Sequence, residues 1–230
     1  AVRRVLATTP SYTLVNLRDH LLSEEKQQAV ADPTGTGVRH ANWWIEQLTT
    51  GRFAEFGGNE RIIVVGINEP GVHNLAEELG VYHYNVAFLN KLTAAGIRGM
   101  ALNLSVGWPR EVGGIIQWDT FRPLESVINA GDHLLNLQSY FYPNPQANWT
   151  KLMNRVASCP MQVPIVMAEV GYTRQLAQLP QPWGWRGNIT AAQYADYLWY
   201  CADNVDPRVI ALCPFTSGFG GAEWENKDVT

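Results

Sequence analysis

The stretch Arg61-Ile62-Ile63-Val64-Val65-Gly66-Ile67-Asn68-Glu69-Pro70 decides how this chain is read. Its first six residues form a near-continuous Ile/Val run. A half-exposed strand alternates apolar with polar residues, whereas an unbroken apolar run belongs to a strand covered on both faces, as in a parallel sheet. The run therefore predicts a buried parallel strand over Arg61–Gly66, with Asn68, Glu69 and Pro70 following its C-terminal end.

Working outward, the same alternation of apolar runs and helical stretches recurs. Upstream, Leu14–Leu17 (LVNL) reads as a short strand and Gly37–Thr50 as a helix opening after the turn-rich DPTGTG. Downstream, helices are predicted over Ala76–Ala95, Phe121–Ala130, Asn148–Ala157 and Ala191–Asn204. The strands between and after them are Ile97–Leu104, His133–Gln138, Val163–Ala168 and Val209–Cys213. Six strands with helices between them predict an α/β fold with a parallel sheet and helices outside it. A (β/α)8 barrel of the TIM type takes about 250 residues, and the count here is short at the front. No repeat, low-complexity segment or linker breaks the chain, so a single domain over 1–230 is expected.

Composition narrows the function classes. With 46% hydrophobic and 17% charged residues among 230, the chain has ample material for a core. A net charge of −4 and a pI near 5.7 argue against a nucleic-acid partner, which calls for a basic excess. No run of eighteen apolar residues predicts a membrane span. The cysteines, Cys159, Cys201 and Cys213, include no CxxC pair and allow at most one disulfide. Neither HExxH nor a Gly-rich phosphate loop occurs, so no metal and no cofactor are expected. The chain starts at Ala1 with no signal-peptide pattern. Sequons stand at Asn103, Asn148 and Asn188. Asn103 falls in a predicted strand and is a poor glycan site; the other two matter only in a secreted protein, the localisation this reading favours.

A second strand also meets a carboxylate. Val163-Pro164-Ile165-Val166-Met167-Ala168 is followed by Glu169-Val170-Gly171-Tyr172. Active sites of parallel α/β barrels collect at the C-terminal ends of the strands. Either glutamate alone could be a solvated loop residue or a helix-start charge, but two such strand-end carboxylates supply the pair glycoside hydrolysis requires. One must be protonated to donate to the leaving oxygen; the other must be ionised to attack the sugar carbon.

Asn68-Glu69-Pro70 and Glu169-Val170-Gly171-Tyr172 resemble the two catalytic motifs of the clan A glycoside hydrolases, retaining β-glycosidases on a TIM barrel. The two glutamates stand 100 positions apart with two predicted strands between them, as in that group. The resemblance makes Arg61–Gly66 strand four, Val163–Ala168 strand seven and Val209–Cys213 strand eight. It implies Glu69 as acid/base, Glu169 as nucleophile, and Asn68 as the partner of the sugar 2-hydroxyl. It also implies that Tyr140 orients the nucleophile from strand six and that Arg18 serves from strand three. Gln138 stands where the group often has His, and Phe215 where a strand-eight Trp is usual, with Trp224 further on.

His73, Trp108, Trp183 and Trp185 follow strand ends and are candidate substrate contacts, since indole faces stack on sugars. Packing under its own loop is the plain alternative for Trp108, and a loop residue without a role for His73. Asp19-His20 reads as a turn or helix start. Trp43 and Trp44 lie in a helix, so one of them reads as core, and Tyr194, Tyr197 and Trp199 in the late helix read as core.

The reading is a retaining glycoside hydrolase acting by double displacement on a carbohydrate substrate, a β-linked glycan. The rival is a decayed barrel serving as a carbohydrate-binding or structural protein, which Gln138 and Phe215 favour and the two glutamates oppose. Because Val2–Thr8 looks like the end of a helix, strands one and two are expected to be absent, making the chain a barrel fragment. Unpaired edges at Leu14–Leu17 and Val209–Cys213 then predict self-association or a place in a larger assembly.

Overall fold

The computed structural model describes residues 7, 15–18, 31–70, 72–173, 177–180 and 184–214. The readings at Asp19, His20, Trp183, Phe215 and Trp224, and nearly all of that at Val2–Thr8, lie outside them. Along the chain come β1 (Val15–Leu17), α1 (Pro33–Thr49), β2 (Ile62–Val65), α2 (Leu75–Ala94), β3 (Arg98–Leu104), β4 (Glu111–Val112), β5 (Ile115–Ile116), α3 (Leu124–Ala130), β6 (Leu134–Phe141), α4 (Pro145–Ser158), β7 (Ile165–Tyr172), α5 (Ala191–Asn204) and β8 (Val209–Pro214). The six principal strands follow sheet order β1-β2-β3-β6-β7-β8, their order in the sequence. A parallel sheet whose neighbours are consecutive and joined by helices is a (β/α)8 barrel in part, as the strand spacing predicts.

The chain divides into two compact units. The first comprises Ala1–Leu104, Gln117–Leu135 and Met161–Val163. Here β1, β2 and β3 pair in parallel, Val15 opposite Ile62 and Ile63 opposite Arg98. All four residues of β2 are buried, as an alternation-free apolar run requires. Trp44 of α1 and Tyr84, Phe88, Leu89 and Leu92 of α2 are fully buried. Gly37 brings α1 close to α2: a Cβ there would lie 2.5 Å from the Tyr84 carbonyl oxygen. His133 joins β3 to α2, its Nδ1 accepting the Gly99 N–H at 2.9 Å and its Nε2 lying 2.9 Å from the Thr93 hydroxyl and 3.2 Å from the Leu89 carbonyl.

The second unit comprises Ser105–Ile116, Asn136–Pro160 and Pro164–Thr230. Strands β7 and β8 pair in parallel, Ile165 opposite Val209, with register shifts after Ile165 and after Met167. Phe141 packs edge-on against Tyr172 and Tyr197. Arg155 of α4 donates to the carbonyls of Gly107 and Pro109 and pairs with Glu111, pinning the segment after β3. Arg208 donates likewise to the Val156 and Cys159 carbonyls, tying the turn before β8 to the end of α4.

Several boundaries differ from the sequence reading. Helix α1 starts at Pro33, because Asp32 caps it by accepting the Gly35 N–H at 3.0 Å and Pro33 occupies the first turn. DPTGTG is thus a helix start. Asn144 and Pro145 do the same for α4. Helix α3 starts at Leu124, after turns at 121–123. Strand β6 runs on to Phe141 and β7 to Tyr172, so Glu169 lies inside its strand. Glu111–Val112 and Ile115–Ile116 form a hairpin whose turn, Gly113-Gly114, has φ of 58° and 80°, a backbone glycine adopts without steric penalty. Trp199 is 69% exposed, so it is a surface residue; Trp44 and Tyr194 are core as expected. All three cysteines are free.

Candidate active-site residues

In the first unit, Asn68 and Glu69 follow the end of β2, held from behind by two helices. The Trp44 indole N–H donates to the Val65 carbonyl at 3.0 Å. The Ile67 N–H donates to the Tyr84 hydroxyl at 3.0 Å, and that hydroxyl lies 2.6 Å from His40 Nδ1. Gly66 makes room for this arrangement, since a Cβ there would meet the Tyr84 oxygen at 2.9 Å. The main chain beyond Val65 is therefore fixed before Glu69 is reached.

Glu69 itself has φ of 49°, the left-handed region that non-glycine residues seldom occupy. Its N–H donates to the Asn103 carbonyl at 3.0 Å. Asn103 (φ 47°) and Leu102 (φ 71°) are left-handed too, so β3 departs from extended geometry beside Glu69. The Leu102 N–H donates to the side-chain oxygen of Asn85 at 2.9 Å. The Asn103 side chain donates to the Asn68 side-chain oxygen at 2.7 Å. Three unusual residues persist because helix and strand partners over-determine them, a pattern that clusters at functional sites. Asn68 is buried, while Glu69 is exposed.

In the second unit, Glu169 is 5% exposed. The Tyr140 hydroxyl donates to its Oε2 at 2.5 Å, a short charge-assisted bond. Tyr140 and the buried Gln138 are two positions apart on β6 and share a face. Cys213 of β8 is half-buried; its thiol is pushed up by burial and further by the nearby Glu169 charge. The Cys201 thiol of α5 is pushed up to about 12 by burial alone and carries no thiolate chemistry at neutral pH.

The remaining candidates are scattered. Arg18 follows β1 and is exposed. His73 is exposed, and its N–H donates to the Glu77 carboxylate at 2.7 Å, beside the Asn74 cap of α2. Trp108 is half-buried in the segment that Arg155 pins. Trp185 stacks on Tyr194 at 5.1 Å and 9°, and the Arg186 guanidinium lies over its ring at 5.3 Å, so packing already engages its faces. Among the described residues no cluster of metal-ligating side chains exists, and no helix is long and apolar enough to cross a membrane.

Sequence reasoning did not read Asn103, Asn85, Tyr84 or Cys213 as site residues. The sequence signal for Asn103 and Asn85 was an amide inside a strand or helix that otherwise reads as core.

No family profile matches the chain, and no curated protein does. Two solved structures resemble it. The β-mannanase of Streptomyces thermolilacinus with mannohexaose is 20% identical, matched over 85% of this chain and 55% of its own, with a TM-score of 0.47. The catalytic domain of a mannanase from Streptomyces sp. SirexAA-E is 17% identical over 83% of this chain and 52% of its own, with a TM-score of 0.45. The chain thus spans about half the length of each of these two structures.

Proposed function

We propose that this chain carries the residues of a retaining glycoside hydrolase that cleaves a β-linked glycan. The observation that supports this most is the 2.5 Å bond from the Tyr140 hydroxyl to the buried Glu169. A phenol held on one carboxylate oxygen fixes the side chain in the orientation a nucleophile needs.

In this reading Glu169 attacks the anomeric carbon and forms a glycosyl ester while Glu69 gives its proton to the departing oxygen. Water then attacks the anomeric carbon of that ester, Glu69 takes the water's proton, and Glu169 leaves as carboxylate with configuration retained. Asn68 binds the sugar 2-hydroxyl. Arg18, His73, Trp108, Trp183 and Trp224 are proposed as further glycan contacts; Trp185, engaged by Tyr194 and Arg186, is not.

The test is a pair of isosteric variants on aryl β-glycosides. Glu169→Gln should abolish turnover with every leaving group. Glu69→Gln should lose about 10²–10⁴-fold on poor leaving groups and recover in part on a very good one, which needs little acid help. Wild-type turnover by both variants would show the roles to be misassigned. A native chain inert on the whole panel would favour the carbohydrate-binding alternative.

A further inference from the structure

We infer that Asn103 is a positioning residue that fixes which group Asn68 offers to a sugar hydroxyl and, through its own main chain, the backbone of Glu69. The inference rests on the glycosidase reading above and deepens it. Asn103 is 1% exposed, so the Asn103-Leu104-Ser105 sequon is closed to a glycan and its amide is there for another reason.

Its nitrogen lies 2.7 Å from Asn68 Oδ1 and 3.4 Å from the Ile67 carbonyl. A main-chain carbonyl only accepts, so the Asn103 amide must turn its NH₂ that way. Asn68 must then meet it with oxygen. The orientation of one amide sets the other, and Asn68 turns its NH₂ away from Asn103. A sugar 2-hydroxyl meeting that NH₂ is bound through its oxygen. From the same residue, the Asn103 carbonyl accepts the Glu69 N–H at 3.0 Å. Side chain and main chain of Asn103 thus address two consecutive residues, and its left-handed φ of 47° lets it do both.

Two substitutions separate these functions. Asn103→Gly tolerates the left-handed backbone and keeps the carbonyl, but removes the amide. Asn103→Asp keeps the shape but replaces the donor by an acceptor, which favours a flipped Asn68 amide. Each variant and the native chain are assayed for kcat and KM on a matched pair of aryl β-glycosides, one with and one without the 2-hydroxyl. The ratio of kcat/KM for the hydroxylated over the deoxy substrate should fall about tenfold in both variants, the scale of one hydrogen bond. Activity on the deoxy substrate should fall less than on the hydroxylated one, and thermal unfolding should show that both variants fold. A merely structural amide would lower both substrates alike and leave the ratio unchanged; that result, with an active native chain, overturns the inference alone. A native chain that turns over neither substrate overturns the glycosidase reading and this inference with it.

Discussion

Glu69 and Glu169 stood out in the sequence as candidates because a carboxylate directly follows an apolar strand run; Tyr140 came in by the family resemblance. Asn103 did not stand out, since a strand reading assumes extended backbone and gives no sign of two successive left-handed residues. Nor could sequence show that Tyr84 and Asn85, adjacent on one helix, serve different strands. His133 makes the same point with a measurable consequence. Burial holds its pKa below the ordinary 6.5, against the opposing pull of the Leu89 carbonyl. The Gly99 N–H on Nδ1 also requires that nitrogen unprotonated. Above pH 6.5 the ring is neutral folded or unfolded, and stability is at its full value. As pH falls below 6.5 the unfolded chain takes up a proton that the folded ring refuses, so stability falls until the lower folded pKa is passed. The melting temperature should therefore drop between pH 7 and pH 5. His133→Gln, which can still accept from Gly99, should start lower but slope less across that window. An unchanged slope would show that His133 does not set it.

Among the elements, α5 is the one whose limits were read correctly from sequence, Ala191–Asn204. The reason is local: Thr190 and Gln193 form a reciprocal capping box that marks its start. Helices α1 and α4 were read short, because Asp-Pro and Asn-Pro open turns and helices alike. The β4–β5 hairpin was missed because two residues per strand carry no period. Helix α1 also reverses an ordinary expectation. Replacing a helix-interior glycine by alanine usually stabilises by about 0.5–1 kcal/mol. At Gly37 the added methyl would press on the Tyr84 carbonyl at 2.5 Å, so Gly37→Ala should destabilise instead, by about 1–3 kcal/mol. A lower urea midpoint at unchanged m-value is the expected outcome. A higher midpoint would mean that α1 and α2 can separate at no cost.

At the scale of the molecule, the unbroken Ile/Val runs predicted consecutive parallel strands, and the sheet order β1-β2-β3-β6-β7-β8 agrees with them. Among the described residues, no strand pairs with the outer side of β1 or β8. On β8, Ile210 is 52% exposed. An apolar, unpaired edge templates association, and lysine on such an edge blunts it. Sedimentation should show mass rising with concentration for the native chain and less so for Ile210→Lys. A monodisperse monomer at every concentration would remove edge pairing from the account. The two compact units are interlaced along the chain: the first takes Gln117–Leu135 and Met161–Val163 from beyond stretches that belong to the second. Phe121, Leu124 and Ile128, all fully buried, come in the earlier of these returns. On a ribosome making about 5–20 residues per second, the first unit, begun with residues 1–104, waits about three to twelve seconds for residue 163. For about the first one to five seconds of that wait, until residue 128 is added, its helices α1 and α2 have their strands but not Phe121 or Ile128, and a nascent chain stalled there offers chaperones an unfinished core.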